Sequence, residues 1–365
     1  MTRHDKVRVT FLTEQHVGLK TYSDNLRRFV DQDPRIVATW VPITYEDPSG
    51  FWERLRFLPG GIRGALRGRA QVRSAVRGTA PDACLFMTQT PVALGGPLAR
   101  SRPYLVMVDD TPILYDRMSE HYDESPDRFG PLRGIKHRIN VTGLRGAAHV
   151  VPMSKWARSS LVDDYGVEAS KVEVIPTGID LEFWKPGSPT TDGPLRILFV
   201  GGDFGRKGGP LLLDAFRRLP AGSAELHIVT RTRVAAENGV HLYHDMEPNM
   251  PELVELFQTC HVFVLPSLAE AFPNVVVEAC ASGLPAIVTD VGGMAEMIVD
   301  GESGFVISPN DGARLEQLLR RFAEDPAERV TMGAAARTWA ETMFDGRTNA
   351  SRVVDLLLKI AKPRA

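Results

Sequence analysis

The stretch His261–Glu296, HVFVLPSLAEAFPNVVVEACASGLPAIVTDVGGMAE, predicts a strand, a loop, a helix, a second strand and a further loop. HVFVLP is a short apolar run of the kind that forms a buried strand. Asn274 is a good helix N-cap, and Gly283 stands where that helix should end. The β-branched run PAIVT follows. Because the crossover between the two strands is one short helix, we expect the strands to be parallel neighbours.

Two acidic residues in this stretch are candidate ligand-binding groups. Glu270 lies in the loop after the first strand, and Glu278 lies on the short helix, where it is the only charged residue between Glu270 and Asp290. A buried carboxylate is costly unless a donor hydrogen-bonds to it. Ligands of open α/β sheets bind at the carboxyl ends of the strands. The pair therefore predicts a ligand site at this edge, the alternative being a structural acid and a solvated loop charge.

A glycine-rich turn follows another apolar strand at GGDFGRKGG (201–209). Such a turn leading into a helix N-terminus binds anions, and Arg206 and Lys207 would neutralise a phosphate there. A dinucleotide-binding turn is the alternative, but that site requires an acid at the end of the next strand. Glu225 lies near the beginning of that strand, AELHIVT. The pattern favours a phosphate cradle.

The size and composition of the chain limit the classes of protein that it can represent. With 365 residues, 43% of them hydrophobic, it is long enough for two domains with separate cores. A net charge of −2 argues against general nucleic-acid binding. The scattered Cys84, Cys260 and Cys280 indicate a reducing compartment and no structural zinc. We expect no signal peptide and no transmembrane helix, and hence a cytoplasmic protein.

The motifs in the second half resemble the signature of retaining GT-B glycosyltransferases of the family 4 type, glycosyl transferases group 1. In that family an E-x7-E pair follows a strand that ends in Pro-Ser, as do Glu270 and Glu278 here. Ala271 departs from the pattern, since the family usually has glycine. The family's phosphate turn is V-G-R-L-x-x-x-K-G. Lys207 matches the lysine of this turn, and Gly202 occupies the position of its arginine. Arg206 is expected to replace that arginine as a hydrogen-bond donor to the phosphate.

The resemblance implies an α/β fold of the GT-B type, with two Rossmann-like parallel-sheet domains facing a cleft and a C-terminal helix crossing back to the first domain. The glycine- and proline-bearing segment KPGSPTTDGP separates them. We therefore expect an acceptor-binding domain at 1–187, a nucleotide-sugar-binding domain at 188–345, and a final helix at 346–365 packing on the first domain.

The resemblance also implies a reaction: retaining transfer of a hexosyl group from a nucleotide-diphosphate sugar to a hydroxyl acceptor such as a glycan, a glycolipid or a small metabolite. A UDP-sugar is favoured over a GDP-sugar, and no metal or other cofactor is required. Arg206 and Lys207 would stabilise the departing diphosphate, and Glu270 would accept from a sugar hydroxyl. Glu278 would hold the ribose. The expected donor-binding residues are Gly201, Gly202, Phe272, Pro273, Asn274, Val275 and Glu278.

The first half contributes fewer assignments. His16 and Gly18 follow the first strand and are expected on the acceptor side. Family members often place a His-Asp pair after a later strand, where this chain has Asp109 and Asp110, and Asp110 is the expected catalytic partner. This departure leaves a non-catalytic nucleotide-sugar-binding protein open as an alternative. A nucleotide-sugar epimerase of GT-B fold is a second alternative, which the Glu270–Glu278 pair disfavours.

Two further segments have competing interpretations. Residues 51–80 contain seven arginines, from Arg54 to Arg77, against one acid, interleaved with apolar residues. This region predicts either peripheral contact with an anionic membrane on its inner face or a solvated helix. Asp31-Gln32-Asp33 has the D-x-D pattern of a metal site, but it precedes Pro34 at a helix end and is interpreted as a turn.

Overall fold

The structure is a computed structural model that describes residues 6–15, 17–46, 50–54, 60–122, 133–187 and 193–361. The chain forms two compact units. The first unit comprises residues 1–117, 125–177 and 347–365, and the second unit comprises residues 118–124 and 178–346. Among the described helices, none is long and apolar enough to cross a lipid bilayer.

The first unit is built on a five-stranded sheet with the order β2-β1-β3-β4-β5. Every strand pair in it is parallel. Its strands are β1 (Val7–Glu14), β2 (Ile36–Ile43), β3 (Ala83–Met87), β4 (Tyr104–Val108) and β5 (His149–Pro152). The helices of this part of the chain are α1 (Val17–Val30), α2 (Gly60–Thr79), α3 (Thr90–Ala99), α4 (Pro112–Met118), α5 (Arg133–Arg145) and α6 (Lys155–Asp163).

The second unit contains a six-stranded sheet with the order β11-β10-β9-β6-β7-β8. Its strand pairs are also all parallel. Its strands are β6 (Leu195–Val200), β7 (Ala224–Val229), β8 (Val240–Tyr243), β9 (Val262–Leu265), β10 (Ala286–Thr289) and β11 (Gly304–Ile307). Its helices are α7 (Gly209–Arg217), α8 (Pro251–Thr259), α9 (Asn274–Ala281), α10 (Gly312–Glu324) and α11 (Pro326–Met343).

The strand–helix–strand unit predicted from the sequence is present as β9, α9 and β10. The two strands pair in parallel, with Ile287 opposite Val264, and both are buried throughout. Strands that are covered on both faces lack a polar side, which explains the continuous apolar runs in the sequence.

The ends of α9 confirm one prediction and correct another. Gly283 adopts a φ of +71°, and the N–H of Leu284 donates to the carbonyl of Ala279 at 2.9 Å, which closes the helix in a Schellman motif. The prediction that Asn274 is the N-cap is wrong. Pro273 is the N-cap, with extended backbone angles, and Asn274 is the first helical residue.

The segment 178–187 belongs to the second unit, although the sequence analysis places the domain boundary after residue 187. Trp184 is 1% exposed and packs edge-on against Phe257, with ring centroids 5.3 Å apart. Arg337 of α11 donates to the carbonyls of Leu181 and Trp184 at 3.2 and 2.8 Å. These contacts integrate the segment into the second unit, ahead of the glycine- and proline-bearing linker.

The last helix, α12 (Gly346–Ile360), belongs to the first unit from Arg347 onward. Within that unit Asn349 donates to the carbonyl of Pro176 at 3.2 Å, and Arg352 pairs with Glu173 at 3.1 Å. The chain therefore returns to its first unit after completing the second.

The D-x-D segment forms a turn after α1, as predicted. The N–H groups of Gln32 and Asp33 donate to the carbonyls of Phe29 and Val30 at 3.1 and 3.0 Å. The Asp33 carboxylate accepts from Arg35 at 2.7 Å. Its charge is therefore matched by a neighbouring guanidinium.

Candidate functional site

The glycine-rich turn between β6 and α7 passes close against the loop that follows β9. Gly208 has a φ of +77°, and a Cβ built on it would lie 1.9 Å from the carbonyl oxygen of Pro266. A Cβ on Gly201 would lie 2.4 Å from Cδ of Lys207. Glycine is therefore required at Gly208 by a positive φ and by close approach to backbone, whereas a Cβ on Gly201 would displace the flexible Lys207 side chain. The turn brings the N-terminus of α7 to the carboxyl edge of the sheet.

Arg206, Lys207 and Glu270 form one hydrogen-bonded cluster at this edge. Nη1 of Arg206 donates to Oε1 of Glu270 at 3.1 Å and to the carbonyl of Ala269 at 2.6 Å. The Lys207 ammonium donates to the same Glu270 oxygen. The three side chains are 11–15% exposed. The structure thus brings together three residues that the sequence analysis assigned to one site.

Two further residues complete the surroundings of Arg206. Its Nε lies 3.3 Å from a carboxylate oxygen of Asp203. Its Cζ lies 4.4 Å from the ring centroid of Tyr122, a cation–π contact. Sequence reasoning missed Tyr122, which belongs to the short segment 118–124 of the second unit. No local pattern in the sequence marks it, because the contact arises only in the folded chain.

The position of the family's arginine is sterically open. Gly202 has no positive φ, and the nearest atom to a Cβ built there is Cδ of Arg231 at 3.9 Å. A Cβ at Gly202 would therefore make only ordinary van der Waals contact. Arg206 lies near the other end of the same turn and contacts Glu270 from there.

Glu278 is buried on α9 with part of its carboxyl group unsatisfied. The residue is 3% exposed, and Oε2 has no hydrogen-bond partner. Burial raises the pKa of this carboxyl to about 8. A native protein rarely leaves a buried polar atom unpaired, so this oxygen indicates a missing hydrogen-bond donor.

The loop that carries Glu270 packs against the turn that follows β10. Gly292 has a φ of +59°, and a Cβ there would lie 1.9 Å from the carbonyl oxygen of Glu270. The N–H of Gly293 donates to the carbonyl of Ala271 at 2.8 Å. The Ala271 methyl is buried, with the residue 8% exposed. The backbone of this loop is therefore fixed by its contacts with Gly292 and Gly293.

The remaining predicted donor-binding residues lie along the start of α9. Phe272 and Pro273 are buried, whereas Asn274 and Val275 are half-buried. The Phe272 ring packs edge-on against Phe344, with centroids 6.3 Å apart. This contact orients the loop that leads into α9, the helix that carries Glu278.

The first unit contains the predicted residues Asp110, Gly18 and His16. Asp110 is half-buried after β4, and its N–H donates to the carboxylate of Asp109 at 3.0 Å. Burial and the negative charge of Asp109 raise the pKa of Asp110 well above its usual value. Gly18 lies in the first turn of α1, where a Cβ would meet open space. His16 lies outside the described residues.

One cluster outside this site has the composition of a metal centre. The ligand atoms of Glu225, His227 and His241, on β7 and β8, lie within 4.8 Å of one another. However, Nε2 of His227 accepts from Nε of Arg196 at 3.4 Å, and Nδ1 contacts the Tyr243 hydroxyl at 3.0 Å. Burial and Arg196 lower the pKa of His227 to about 4. Both ring nitrogens are engaged, so the cluster is a hydrogen-bonded edge of the sheet.

Two family models match the chain. Residues 18–183 match Glycosyltransferase Family 4, and residues 180–339 match Glycosyl transferases group 1. The two matches overlap at residues 180–183 and together include ten of the eleven strands, all but β1.

The chain is also similar to curated bacterial proteins over part of their length. It is 29% identical over 240 residues to a D-inositol 3-phosphate glycosyltransferase of Pseudarthrobacter chlorophenolicus, covering 59% of this chain and 56% of the relative. It is 30% identical over 250 residues to the protein of the same name from Paenarthrobacter aurescens, covering 62% and 61%. A glycogen synthase of Mycobacterium tuberculosis is 27% identical over 252 residues, covering 63% and 58%. The matched regions span little more than half of these relatives.

Solved structures share the fold over nearly the whole chain. A sucrose-phosphate synthase from Thermosynechococcus elongatus superposes with a TM-score of 0.75 at 17% identity, covering 97% of this chain and 99% of that structure. HepE of Anabaena, in complex with UDP-glucose, gives 0.71 at 19% identity, covering 97% and 100%. At these identities the likeness shows the fold, which is GT-B. Two glycosyltransferase family models, Glycosyltransferase Family 4 and Glycosyl transferases group 1, together match the chain from residue 18 to residue 339 and identify it as similar to the family 4 type.

Proposed function

We propose that this protein is a retaining glycosyltransferase that moves a hexosyl group from a nucleotide-diphosphate sugar to a hydroxyl acceptor. The observation that carries the proposal is the Arg206–Lys207–Glu270 cluster at the start of α7, together with Glu278, which is buried on α9 with Oε2 unsatisfied. Two cations with a helix N-terminus suit a diphosphate. A carboxylate lacking donors suits a pair of hydroxyl groups.

The two cations are assigned to the leaving group. Glycosyl transfer generates negative charge on the departing nucleoside diphosphate, and preorganised donors aimed at that charge accelerate the reaction. Arg206 is held by the carbonyl of Ala269 and by the ring of Tyr122, so its guanidinium is oriented before a ligand arrives. Lys207 lies beside it with a side chain 15% exposed. With this charge stabilisation the reaction would need no metal ion.

The two carboxylates are assigned to the neutral parts of the donor. An ionised carboxylate accepts hydrogen bonds through both oxygens, so Glu278 would accept from the two ribose hydroxyls. Glu270 would accept from a hydroxyl of the transferred sugar while it orients the cations. The half-buried start of α9, at Asn274 and Val275, would present backbone N–H groups to the same donor.

The relatives support a donor and a class of acceptor. HepE was crystallised with UDP and with UDP-glucose, which supports a UDP-sugar as the donor. The relatives' names, D-inositol 3-phosphate glycosyltransferase and sucrose-phosphate synthase, support phosphorylated polyols and sugar phosphates as the first acceptors to screen. In the first unit we propose Asp110 as the group that assists catalysis, and Gly18 and His16 on the acceptor side.

The first test is donor binding, measured as a thermal shift with UDP-, GDP- and ADP-sugars in the absence of metal. A ligand at 100 times its Kd adds about 2.7 kcal/mol of stability. We expect a shift with UDP-sugars that Glu278→Ala abolishes. No shift with any sugar nucleotide would contradict the proposal.

The second test distinguishes transfer from the two alternatives. Products are analysed by chromatography after incubation with the donor alone and then with the donor plus candidate acceptors. A glycosyltransferase gives a new glycoside only when an acceptor is present. Conversion of the donor alone would favour an epimerase, and donor binding without any product would favour a binding protein.

We also propose that α2 makes peripheral contact with the inner face of an anionic membrane. Arg69, Arg73 and Arg77 recur every four residues and, with Trp52 and Leu66, line one groove of about 720 Å³. An aromatic ring among arginines suits the interface of anionic lipid. Arg56, Phe57 and Leu58 lie outside the described residues.

Vesicle co-sedimentation tests this contact with phosphatidylcholine vesicles that contain or lack phosphatidylglycerol. We expect binding only to the anionic vesicles, with loss of binding when Arg69, Arg73 and Arg77 are all replaced by glutamate. A matched control makes the same three-charge reversal at Arg314, Arg320 and Arg321 of the second unit. Equal binding by the two variants would contradict a role for α2.

A further inference from the structure

A cavity of about 380 Å³ lies in the second unit at the amino ends of β9 and β10. Glu270 follows the carboxyl end of β9, so the cavity and the proposed donor site lie at opposite edges of the sheet. Its apolar lining includes Pro186, Leu284 and Pro285, and its polar lining includes His261, Ser282 and Arg329. Ligand pockets typically combine an apolar wall with a few polar groups in this way.

Arg329 is a buried cation that makes no direct ion pair with a described residue, although the negative charge of Asp325 acts on it from a greater distance. It is 6% exposed, and no carboxylate in the described parts of the chain lies within ion-pair distance of its guanidinium. Among the described residues, the guanidinium has one side-chain hydrogen-bond contact, with Nδ1 of His261 at 3.5 Å. The same Nδ1 accepts the backbone N–H of Arg196 at 2.9 Å, so it is already engaged by a better donor. A buried charge in this condition is costly unless an anion joins it.

Ser282 supplies a second unsatisfied group to the same cavity. The residue is 2% exposed, and its Oγ has no hydrogen-bond partner. Ser282 is the C-cap of α9, and its N–H donates to the carbonyl of Glu278 at 3.0 Å. The backbone of Ser282 is therefore fixed, while its buried hydroxyl lacks a hydrogen-bond partner.

We propose that this cavity is a second ligand site, which binds a small organic carboxylate with an apolar body. The guanidinium of Arg329 would donate to both carboxylate oxygens, which is the geometry that an arginine fork favours. The Ser282 hydroxyl would donate to one of these oxygens. Arg337 also lines the cavity but pairs with Glu341 at 2.7 Å, so the guanidinium of Arg329 is left to balance one negative charge. The walls of proline and leucine suit a ring or a branched chain. A bare, hydrated ion would leave those walls without contacts.

Benzoate is the probe for this site, and benzamide is its neutral control of nearly the same shape. Binding is measured by titration calorimetry and by thermal shift on the full chain. We expect benzoate to bind and to raise the melting temperature, and benzamide to do neither. Inorganic phosphate is the third ligand, and binding of phosphate at this site without binding of benzoate would overturn the proposal of an apolar body.

Three variants locate the binding. Ser282→Ala should weaken benzoate affinity by at least about tenfold, since a buried hydrogen bond to a charged group is worth roughly 1.5–3 kcal/mol. Arg329→Met should abolish binding. It should also raise the melting temperature of the ligand-free protein, because an unmatched buried charge is removed. Lys207→Ala removes a cation from the other edge of the sheet and should leave benzoate binding unchanged.

The contrary outcomes are equally specific. Benzoate affinity that is the same in Arg329→Met and the unaltered protein would overturn the proposal, as would affinity lost only in Lys207→Ala. If Arg329→Met does not fold, Arg329→Lys keeps the charge but loses the planar fork. It should then bind benzoate more weakly than the unaltered protein, and equal binding would count against the site.

Discussion

Nη1 of Arg206 lies 3.1 Å from Oε1 of Glu270, so the proposed leaving-group cation is hydrogen-bonded to the proposed sugar-binding carboxylate. Lys207 donates to the same oxygen. A diphosphate that enters the site must therefore take over hydrogen bonds that Glu270 now accepts. This relationship makes the roles of the three residues interdependent, and it determines how their substitutions should be tested.

Replacing Arg206 by alanine should reduce turnover by about 10²–10³, the usual effect of removing one donor to a developing negative charge. The double variant Arg206→Ala/Gly202→Arg should recover part of that loss, because a Cβ at Gly202 meets no steric conflict and the arginine would stand at the family's position. The measurement is kcat with saturating UDP-sugar. If Arg206→Ala kept full turnover while Lys207→Ala lost turnover, Arg206 would not replace the family's arginine as a hydrogen-bond donor to the phosphate.

The stability of the protein should depend on pH through Glu278. Its pKa is about 8 in the folded protein, against 4.5 for an ordinary glutamate. Between these values the folded protein holds a proton that the unfolded chain has released. Raising the pH from 5 to 8 therefore lowers the unfolding free energy, by an amount on the order of a few kcal/mol.

Glu278→Gln is the control for this pH dependence, because the neutral amide has nearly the same shape and does not titrate. The variant should match the unaltered protein near pH 5 and become more stable than it by pH 8, as followed by thermal unfolding across the range. Parallel curves for the two proteins would show that Glu278 is ionised throughout.

Donor binding should have the opposite pH dependence. Ribose hydroxyls donate to the ionised carboxylate of Glu278, so donor binding lowers its pKa and releases a proton when the pH is below 8. The affinity for UDP-sugar should fall as the pH is lowered from 8 to 6, by up to about tenfold per pH unit. Calorimetry in two buffers of different ionisation enthalpy should detect the released proton. A flat affinity profile in the unaltered protein would exclude this role.

Gly292→Ala should disrupt the Glu270 loop. The residue has a φ of +59°, and the new methyl group would lie 1.9 Å from the carbonyl oxygen of Glu270. Gly301→Ala is a matched control, since Gly301 has a φ of +77° but no atom within 4 Å of a Cβ. The left-handed backbone costs either alanine roughly 1–2 kcal/mol. Thermal unfolding and donor affinity should therefore show a larger loss in Gly292→Ala, and equal losses would mean that the loop adapts.

Much of the second unit could be predicted from the sequence because its strands are buried on both faces. Continuous apolar runs identify β9 and β10 without an alternating pattern, and the glycines of the phosphate turn are dictated by local geometry. Glu278 stood out because it is a lone charge in an apolar helix. In each case the physical cause lies within a few residues of the signal.

The sequence was less informative where the cause is tertiary. Tyr122 contacts Arg206 only in the folded chain, and the cavity beside Arg329 depends on how α11 packs against α9. The predicted domain boundary followed the glycine and proline content of the linker. The burial of Trp184, which assigns residues 178–187 to the second unit, has no counterpart in local composition. Asn274 lost the N-cap position to Pro273, a residue with no side-chain hydrogen-bonding group.

The ion pairs around Glu270 have a consequence for how a donor arrives. Arg206 and Lys207 are balanced by Glu270 and Asp203, so the four side chains sum to zero charge at neutral pH. A neutral cluster projects little field beyond the Debye length, which is about 8 Å in physiological salt. We therefore expect these four side chains to add little long-range attraction for phosphate and other common anions. Capture of the nucleotide sugar instead depends on contacts made after collision, and its association rate should vary little with ionic strength.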